Sequence, residues 1–186
     1  MPVYSYDPPD RFVAGTVGQP GERTFYLQAS SSGRVTSVAL EKFQVSLLAE
    51  RLEELLDEVL RRTGGLTSVP AATPSDLADD EPLDLPLMED FRVGAIALAW
   101  DGEDERVVIE AQEESETPVE PLAEDIPESG PGVLRVRITA ASARAFSQRA
   151  LRILGQGRPP CPLCGLPLDS EGHICPRQNG HRAADG

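Results

Sequence analysis

The sequence lacks any apolar run long enough to cross a membrane. No stretch of its 186 residues approaches the roughly 18 to 20 consecutive apolar residues that a transmembrane helix needs. Residues 1–12 contain no basic region followed by an apolar run, which is the pattern of an export signal. We therefore expect a cytoplasmic protein that does not associate with membranes.

The sequence also lacks a recognisable catalytic motif. The glycine-rich residues 15–21 have neither the lysine of a phosphate-binding loop nor the spacing of a dinucleotide fingerprint, and they predict a hairpin turn. There is no Gly-x-Ser-x-Gly elbow, and both histidines, His173 and His181, lie near the C-terminus. No class of enzyme is indicated, and we lean towards a non-catalytic protein.

Positive charge is scarce, and the acidic residues are unevenly distributed. The net charge of the chain is -14, and residues 66–130 alone carry 19 acidic and 2 basic side chains. Such a field repels phosphate, so binding to nucleic acid is not expected. Residues 131–186 are net basic, but no aromatic residues alternate with their arginines to stack on bases.

Residues 1–65 predict three strands and a helix. Apolar or alternating segments at residues 11–17, 22–29 and 34–40 are separated by glycine-containing turns, which is typical of an antiparallel meander. At residues 41–62 the apolar period changes from two to about 3.6 residues, which predicts an amphipathic helix. Gly64 and Gly65 then mark its end.

The same order of elements recurs in residues 88–155. Strands are predicted at residues 91–100, 106–111 and 133–138, and Thr139 is placed to cap a helix over residues 140–154. Residues 66–87 predict an acidic, proline-rich linker, with leucines that can dock on the body, and residues 112–131 predict a disordered acidic insertion.

The predicted fold class is therefore α+β. Two halves, residues 1–65 and 88–155, each of the order strand, strand, strand, helix, would form an antiparallel sheet on which two helices pack. An internal duplication would explain the repeated order, because a second copy covers the sheet face and edge that one copy leaves open. A coincidence in a common pattern is the alternative.

All three cysteines fall in the tail, residues 156–186, and they predict a metal site. Cys161 and Cys164 form a Cys-x-x-Cys knuckle followed by Gly165, and His173 and Cys175 follow within the next eleven residues. Two residues between thiolates let both sulfurs reach one ion, and three thiolates with an imidazole select zinc. With four protein ligands, such a zinc is structural.

Two alternatives to this ligand set remain open. His173 and Cys175 are separated by one residue, so His181 could replace His173 as the fourth ligand. Cys161 and Cys164 could also be a redox pair, although that motif normally has a strand before it and a helix after it, and prolines surround it here.

Four segments carry a resemblance to a known family. Residues 6–25, residues 37–42, the Cys-Pro-Leu-Cys-Gly segment of residues 161–169 and the Gly-His-x-Cys-Pro-Arg segment of residues 172–177 resemble an uncharacterised actinobacterial family of similar length. The family has no assigned function, so the resemblance implies no catalytic residue. Its members tend to be encoded beside a histidine-phosphatase-like and a kinase-like protein, which implies a shared pathway.

These observations predict a non-catalytic, zinc-stabilised binding or adaptor protein with a protein partner, for which the phosphatase-like and kinase-like neighbours are candidates. The alternative is an enzyme acting on a phosphorylated or thiol metabolite at a site between the two halves. A pocket with convergent arginines and carboxylates would favour the enzyme. Polar residues within apolar elements could line such a site or could be strand ends and helix caps: Asp10, Arg11, Gln28, Glu41, Lys42 and Gln44.

Overall fold

A computed structural model describes residues 2–127, 129–157, 159–166, 168 and 173–177. It is an α+β protein with one seven-stranded sheet and two helices that pack on each other and on the sheet. The elements are β1 (Val3–Tyr6), β2 (Arg11–Val17), β3 (Thr24–Ser31), β4 (Arg34–Leu40), α1 (Lys42–Arg62), β5 (Glu89–Asp101), β6 (Arg106–Glu113), β7 (Val133–Thr139) and α2 (Ala140–Gly155).

We predicted an antiparallel sheet, but the sheet of the structure is mixed. The strand order is β1-β7-β6-β5-β4-β3-β2. The two predicted meanders, β2-β3-β4 and β5-β6-β7, are antiparallel, but β4 pairs with β5 in parallel and so does β1 with β7. The parallel junction arises because α1 returns the chain before β5 begins. The duplication and the domain boundaries stay predictions.

The sheet must curl strongly, because β1 and β2 lie at opposite edges. Six intervals of about 4.8 Å would separate these strands by about 29 Å in a flat sheet. The four residues between Tyr6 and Arg11 span at most about 17 Å. Contacts across the gap confirm the curl: the Tyr6 hydroxyl lies 2.7 Å from Thr36 Oγ1, and Arg34 donates to the Ser5 carbonyl at 2.8 Å.

The two helices begin at residues that satisfy their free amides. Glu41 and Gln44 form a reciprocal capping box at the start of α1, and Thr139 Oγ1 accepts from the Ser142 amide at the start of α2, as predicted. The predicted apolar stripe of α1 is buried at Val45, Leu48, Leu52, Leu56 and Val59.

A buried arginine joins the two helices. Arg144 of α2 donates to Glu53 and, at 2.6 Å, to Asp57 of α1, and its Nε donates to the Pro70 carbonyl at 3.1 Å. Ser147 of α2 donates to the Ala49 carbonyl. The helix interface is therefore held by directional contacts as well as by apolar packing.

One of the linker leucines docks on the body. Leu83 is buried, and its side chain packs directly on Gly15. A Cβ atom at residue 15 would lie 2.5 Å from Leu83 Cδ2, so any larger residue at this position would displace the leucine. Leu85 is exposed and Leu87 is half-buried. The only regular structure of this stretch, among the residues described, is a short 3-10 turn at Ser75–Leu77.

A buried glutamate holds the acidic insertion against the sheet. Glu110 of β6 is fully buried and accepts two hydrogen bonds from Arg135 of β7, at 2.6 and 2.8 Å. Its other oxygen accepts from the Leu122 amide at 3.0 Å, and Arg135 also donates to the Ala123 carbonyl. The insertion has no helix or strand after Glu113 in its described residues, but this contact fixes its middle to β6 and β7.

Replacing Glu110 with alanine should destabilise the protein by about 2 to 3 kcal/mol, because it leaves the partly buried Arg135 and the Leu122 amide without their acceptor. Urea denaturation measures this loss. Glu116→Ala, at an exposed position of the same insertion, is the control and should change stability by less than about 0.5 kcal/mol. Equal stability of the two variants would contradict the role of Glu110 as the buried acceptor that holds the insertion.

No helix in the described part of the chain combines the length and the apolar character that a membrane crossing requires.

Candidate functional site

The Cys-x-x-Cys knuckle is a turn closed by backbone hydrogen bonds. The Cys161 amide donates to the Leu166 carbonyl at 2.7 Å, and the Gly165 amide donates to the Cys161 carbonyl at 2.8 Å. Gly165 has a φ of 74°, a left-handed conformation that glycine adopts without strain. This turn brings the side chain of Cys164 back beside that of Cys161.

The four predicted ligands converge. The sulfurs of Cys161, Cys164 and Cys175 and a ring nitrogen of His173 all lie within 4.8 Å of one another. The Cys161 and Cys175 sulfurs are 3.9 Å apart, and the Cys164 sulfur is 3.1 Å from His173 Nε2. Zinc-sulfur bonds of about 2.3 Å in a tetrahedron separate two sulfurs by about 3.8 Å. The cluster could therefore hold a metal ion.

Backbone amides favour the thiolate of Cys161. Hydrogen bonds from the Cys164 amide and then the Leu163 amide, the latter 3.4 Å from the sulfur, lower the pKa of Cys161. For Cys164 the Leu166 amide acts in the same direction, but burial and the neighbouring Cys161 and Cys175 outweigh it and raise the pKa of Cys164. A shared cation removes this conflict, because it binds all three sulfurs as thiolates.

His173 presents Nε2 to the cluster and buries its other ring nitrogen. Nδ1 makes no hydrogen bond within the described residues. His181 and Gly172 lie outside the described residues, so the alternative ligand His181 stays an untested prediction.

The redox alternative lacks its structural context. Cys161 and Cys164 are free thiols in a turn, and no helix follows Cys164 in the parts of the tail that the structure describes. A helix N-terminus is what usually activates the first cysteine of a redox pair.

Arginines and carboxylates also meet between the two halves, in a group we call the Asp79 cluster: Arg11, Asp79, Arg149 and Arg152. The Asp79 carboxylate accepts two hydrogen bonds from Arg11, at 2.7 and 3.0 Å, and one from Arg149 at 2.9 Å. Burial lowers the pKa of Arg149, and the hydrogen bond from Arg11 lowers the pKa of Asp79.

The guanidinium N–H groups of Arg149 already donate to carbonyls of β2 and of the linker. Arg149 also donates to the carbonyls of Ala14, Asp79 and Glu81, at 2.8, 2.6 and 2.7 Å. Two cavities adjoin the cluster, one of about 150 Å³ beside Arg11 and one of about 430 Å³ beside Arg152. The second falls within the roughly 300 to 1,000 Å³ of typical small-molecule sites, but Arg149 and Arg152, which line it, already pair with linker groups. The cluster thus anchors the linker to β2 and α2.

The ion pairs of Asp79 predict a pH dependence of stability. A carboxylate with a lowered folded pKa stabilises the fold above its unfolded pKa, about 3.9, and this contribution is lost as the pH falls through the folded value. We expect Asp79→Asn to cost on the order of 1 kcal/mol at pH 7 and to differ less from the parent below pH 4. Thermal unfolding from pH 3 to pH 7 measures this, with the exposed Asp76→Asn as control. A constant difference across that range would contradict it.

A groove between α1 and β5, which we call the α1–β5 groove, is an apolar concavity that the sequence did not predict. Its volume is about 640 Å³. Phe43 and Leu47 of α1 are 67% and 49% exposed, although both are apolar. The lining is mainly apolar, and α1 also contributes polar side chains to it. The residues that line the groove are Phe43, Gln44, Leu47, Leu48, Arg51, Glu54, Leu55, Glu58, Gly94, Ile96 and Leu98. Phe43 and Leu47 are four residues apart and lie beside the predicted apolar stripe of α1. Their position outside this stripe was the sequence feature that could have indicated the groove.

The fold and the cluster together define a mixed α+β protein with a C-terminal Cys3His knuckle. The chain belongs to the DUF3090 family, described as a protein of unknown function, whose sequence model matches residues 4–175. The match includes all four residues of the Cys3His cluster. Neither the curated proteins nor the solved structures contain a match to the chain.

Proposed function

We propose that this protein is a non-catalytic, zinc-stabilised adaptor that binds another protein in the cytoplasm. Zinc is the proposed metal because three thiolates and one imidazole are a donor set that it prefers. Four protein ligands leave no position for a substrate or a reactive water, so the ion would stabilise the tail rather than catalyse a reaction. Free cysteines in such a site suit a reducing compartment.

The observation that carries the adaptor role is the exposed apolar lining of the α1–β5 groove. Soluble proteins rarely expose a large contiguous apolar patch, and such a patch with a polar rim is typical of a protein interaction site. Phe43 provides an aromatic side chain and Leu47 an aliphatic one, while Arg51 and Glu54 are on the rim. The partner that the family resemblance suggests, a phosphatase-like or kinase-like protein, is a candidate occupant.

Site-specific photo-crosslinking in cells tests the role of the groove. Benzoylphenylalanine at Leu47 should give a discrete covalent product with a second protein, whereas the same group at Leu66, an exposed leucine away from the groove, should not. The product should disappear when Phe43 is replaced by glutamate. The same products from both positions, or none from Leu47, would refute the adaptor role of this groove.

A further inference from the structure

One edge of β5 is open beside the α1–β5 groove. β4 pairs with β5 only as far as Arg92, and β5 continues to Asp101. On the side away from β6, the described residues provide no backbone partner for Gly94–Asp101, because the pairing with β4 ends before this stretch and no turn or loop hydrogen bond involves it. The Val93 carbonyl, just before the open stretch, accepts a hydrogen bond from the Gln44 side chain of α1 at 3.2 Å.

The backbone groups of Ile96, Leu98 and Trp100 point towards this open side. Along a strand the N–H and C=O groups face alternate neighbours. The Glu113 amide of β6 donates to Gly132 on the β7 side, so the even-numbered residues of β6 face β5. Their partners on β5 are Ala95, Ala97, Ala99 and Asp101. The residues between them, Ile96, Leu98 and Trp100, therefore present free donors and acceptors.

The side chains of these same residues point to the helix side of the sheet. Ile96, Leu98 and Trp100 stand opposite Ala111, Ile109 and Val107, which belong to the core below the helices. Ile96 and Leu98 form the floor of the α1–β5 groove. A strand added to this edge would thus direct every second side chain into the groove, next to Phe43 and Leu47.

From Ala95 onwards, the edge carries none of the features that keep exposed strands from pairing. Residues 93–100, Val-Gly-Ala-Ile-Ala-Leu-Ala-Trp, contain no charge and no proline. Natural proteins usually place lysine, proline or a bulge on such an edge. The one bulge, at Gly94, lies at the start of the open stretch and leaves the rest regular.

Charge favours a basic occupant over a second copy of this chain. Acidic residues lie near both ends of the open stretch: Glu89 and Asp90 precede it, and Glu103, Asp104 and Glu105 follow it. Arg137 pairs with Asp101 and Asp104, but the excess of acidic over basic side chains in residues 66–130 remains large. The chain itself has a net charge of -14, so two copies repel each other. A segment with lysine or arginine between its apolar residues is attracted to both ends of the groove.

We propose that the edge of β5 from Gly94 to Asp101 binds an extended basic segment of a partner protein as an added antiparallel strand. Apolar side chains at alternate positions of that segment fill the α1–β5 groove, and basic side chains between them face solvent and the acidic ends. Backbone hydrogen bonds to Ile96, Leu98 and Trp100 supply affinity, and the groove supplies selectivity. This inference rests on the proposed adaptor function and specifies how its partner binds.

The test uses the full chain, labelled with ¹⁵N, and a capped eight-residue peptide of alternating valine and lysine as probe. Binding should shift the amide signals of Ile96, Leu98 and Trp100 and slow their hydrogen exchange at least tenfold. A lysine-serine peptide of equal charge is the control for purely electrostatic binding and should not do this. If it gives the same shifts, the proposal is overturned.

Backbone methylation of the probe separates strand addition from simple apolar docking. In an antiparallel added strand, the valines that fill the groove also direct their N–H groups to β5. N-methylation of the valines should abolish binding, and N-methylation of the lysines should leave it within about threefold. Equal affinity of the valine-methylated and parent peptides would overturn strand addition.

A variant of β5 gives an independent measurement. Leu98→Pro removes an edge donor without removing a bond to β6, and Leu98→Ala is the control for the lost side chain. The proline variant should bind the probe about fivefold more weakly than the alanine variant, the size of one hydrogen bond. A concentration-dependent dimer of the parent chain that excludes the probe would overturn the proposal in favour of a second copy. Crosslinks from Leu47 together with no strand addition would refute this inference and leave the adaptor function standing.

Discussion

Loss of the bound metal is the expected result of replacing both Cys161 and Cys164 with serine. Serine hydroxyls are poor zinc ligands, and the two remaining residues, His173 and Cys175, cannot complete a tetrahedral site. Mass spectrometry of protein purified without a metal-affinity tag should find one zinc per parent chain and none per variant chain. Ile174→Ser, an exposed position between two ligands, is the control and should retain one zinc.

The same substitution should unfold the tail and leave the body intact. Metal binding supplies the folding free energy of small knuckles that have little core of their own. The buried apolar core consists of residues from the sheet and the two helices together with Val69 of the linker, and the described tail contributes none to it. Hydrogen exchange should become fast for residues 161–175 only, and the melting temperature of the body should change by less than about 2 °C. Melting of the body together with the tail, or zinc retained in the variant, would contradict a separate metal-stabilised module.

Local sequence patterns predicted most elements because their cause is local. Alternation in residues 34–40 and the 3.6-residue period of residues 42–62 reflect which side of each element is buried, and the structure has both elements there. The cap at Thr139 and the Cys-x-x-Cys turn depend on a few neighbouring atoms. These features can be predicted without knowing the rest of the chain.

Features that depend on distant residues could not be predicted in this way. The strand β1, of four residues, is too short for a periodic signal, and it is stabilised by pairing with β7 more than a hundred residues away. The parallel pairing of β4 and β5 depends on where α1 returns the chain. The α1–β5 groove exists because β4 ends before β5 does, and neither strand shows this by its own sequence.

The sequence analysis also failed to predict that two arginines are buried. Arg144 and Arg149 of α2 are almost fully buried, although arginine normally marks the exposed side of a helix. Both are buried because carboxylates and carbonyls of other segments accept from them: Glu53, Asp57 and Pro70 for Arg144, and Ala14, Asp79 and Glu81 for Arg149. Only the tertiary structure brings those acceptors together.

Replacing Arg149 with methionine should therefore destabilise the protein more than Glu110→Ala or Asp79→Asn does, by about 3 to 5 kcal/mol. Methionine fills much of the volume but leaves the Ala14 carbonyl on the edge strand β2 and the linker carbonyls of Asp79 and Glu81 without their donor. Urea denaturation at pH 7 measures the loss as a lower midpoint with an unchanged slope.

Arg152→Met is the matched control for that prediction, because Arg152 is one turn away on the same helix and is 40% exposed. Its pair with Asp80 is a surface ion pair, so the control should lose less than about 1 kcal/mol. Arg149→Lys should recover little of the stability, because one ammonium cannot reach acceptors on both β2 and the linker as the forked guanidinium does. A lysine variant as stable as the parent would show that charge alone holds the linker, whereas a deficit close to that of methionine would show that the geometry of the guanidinium joins the two halves.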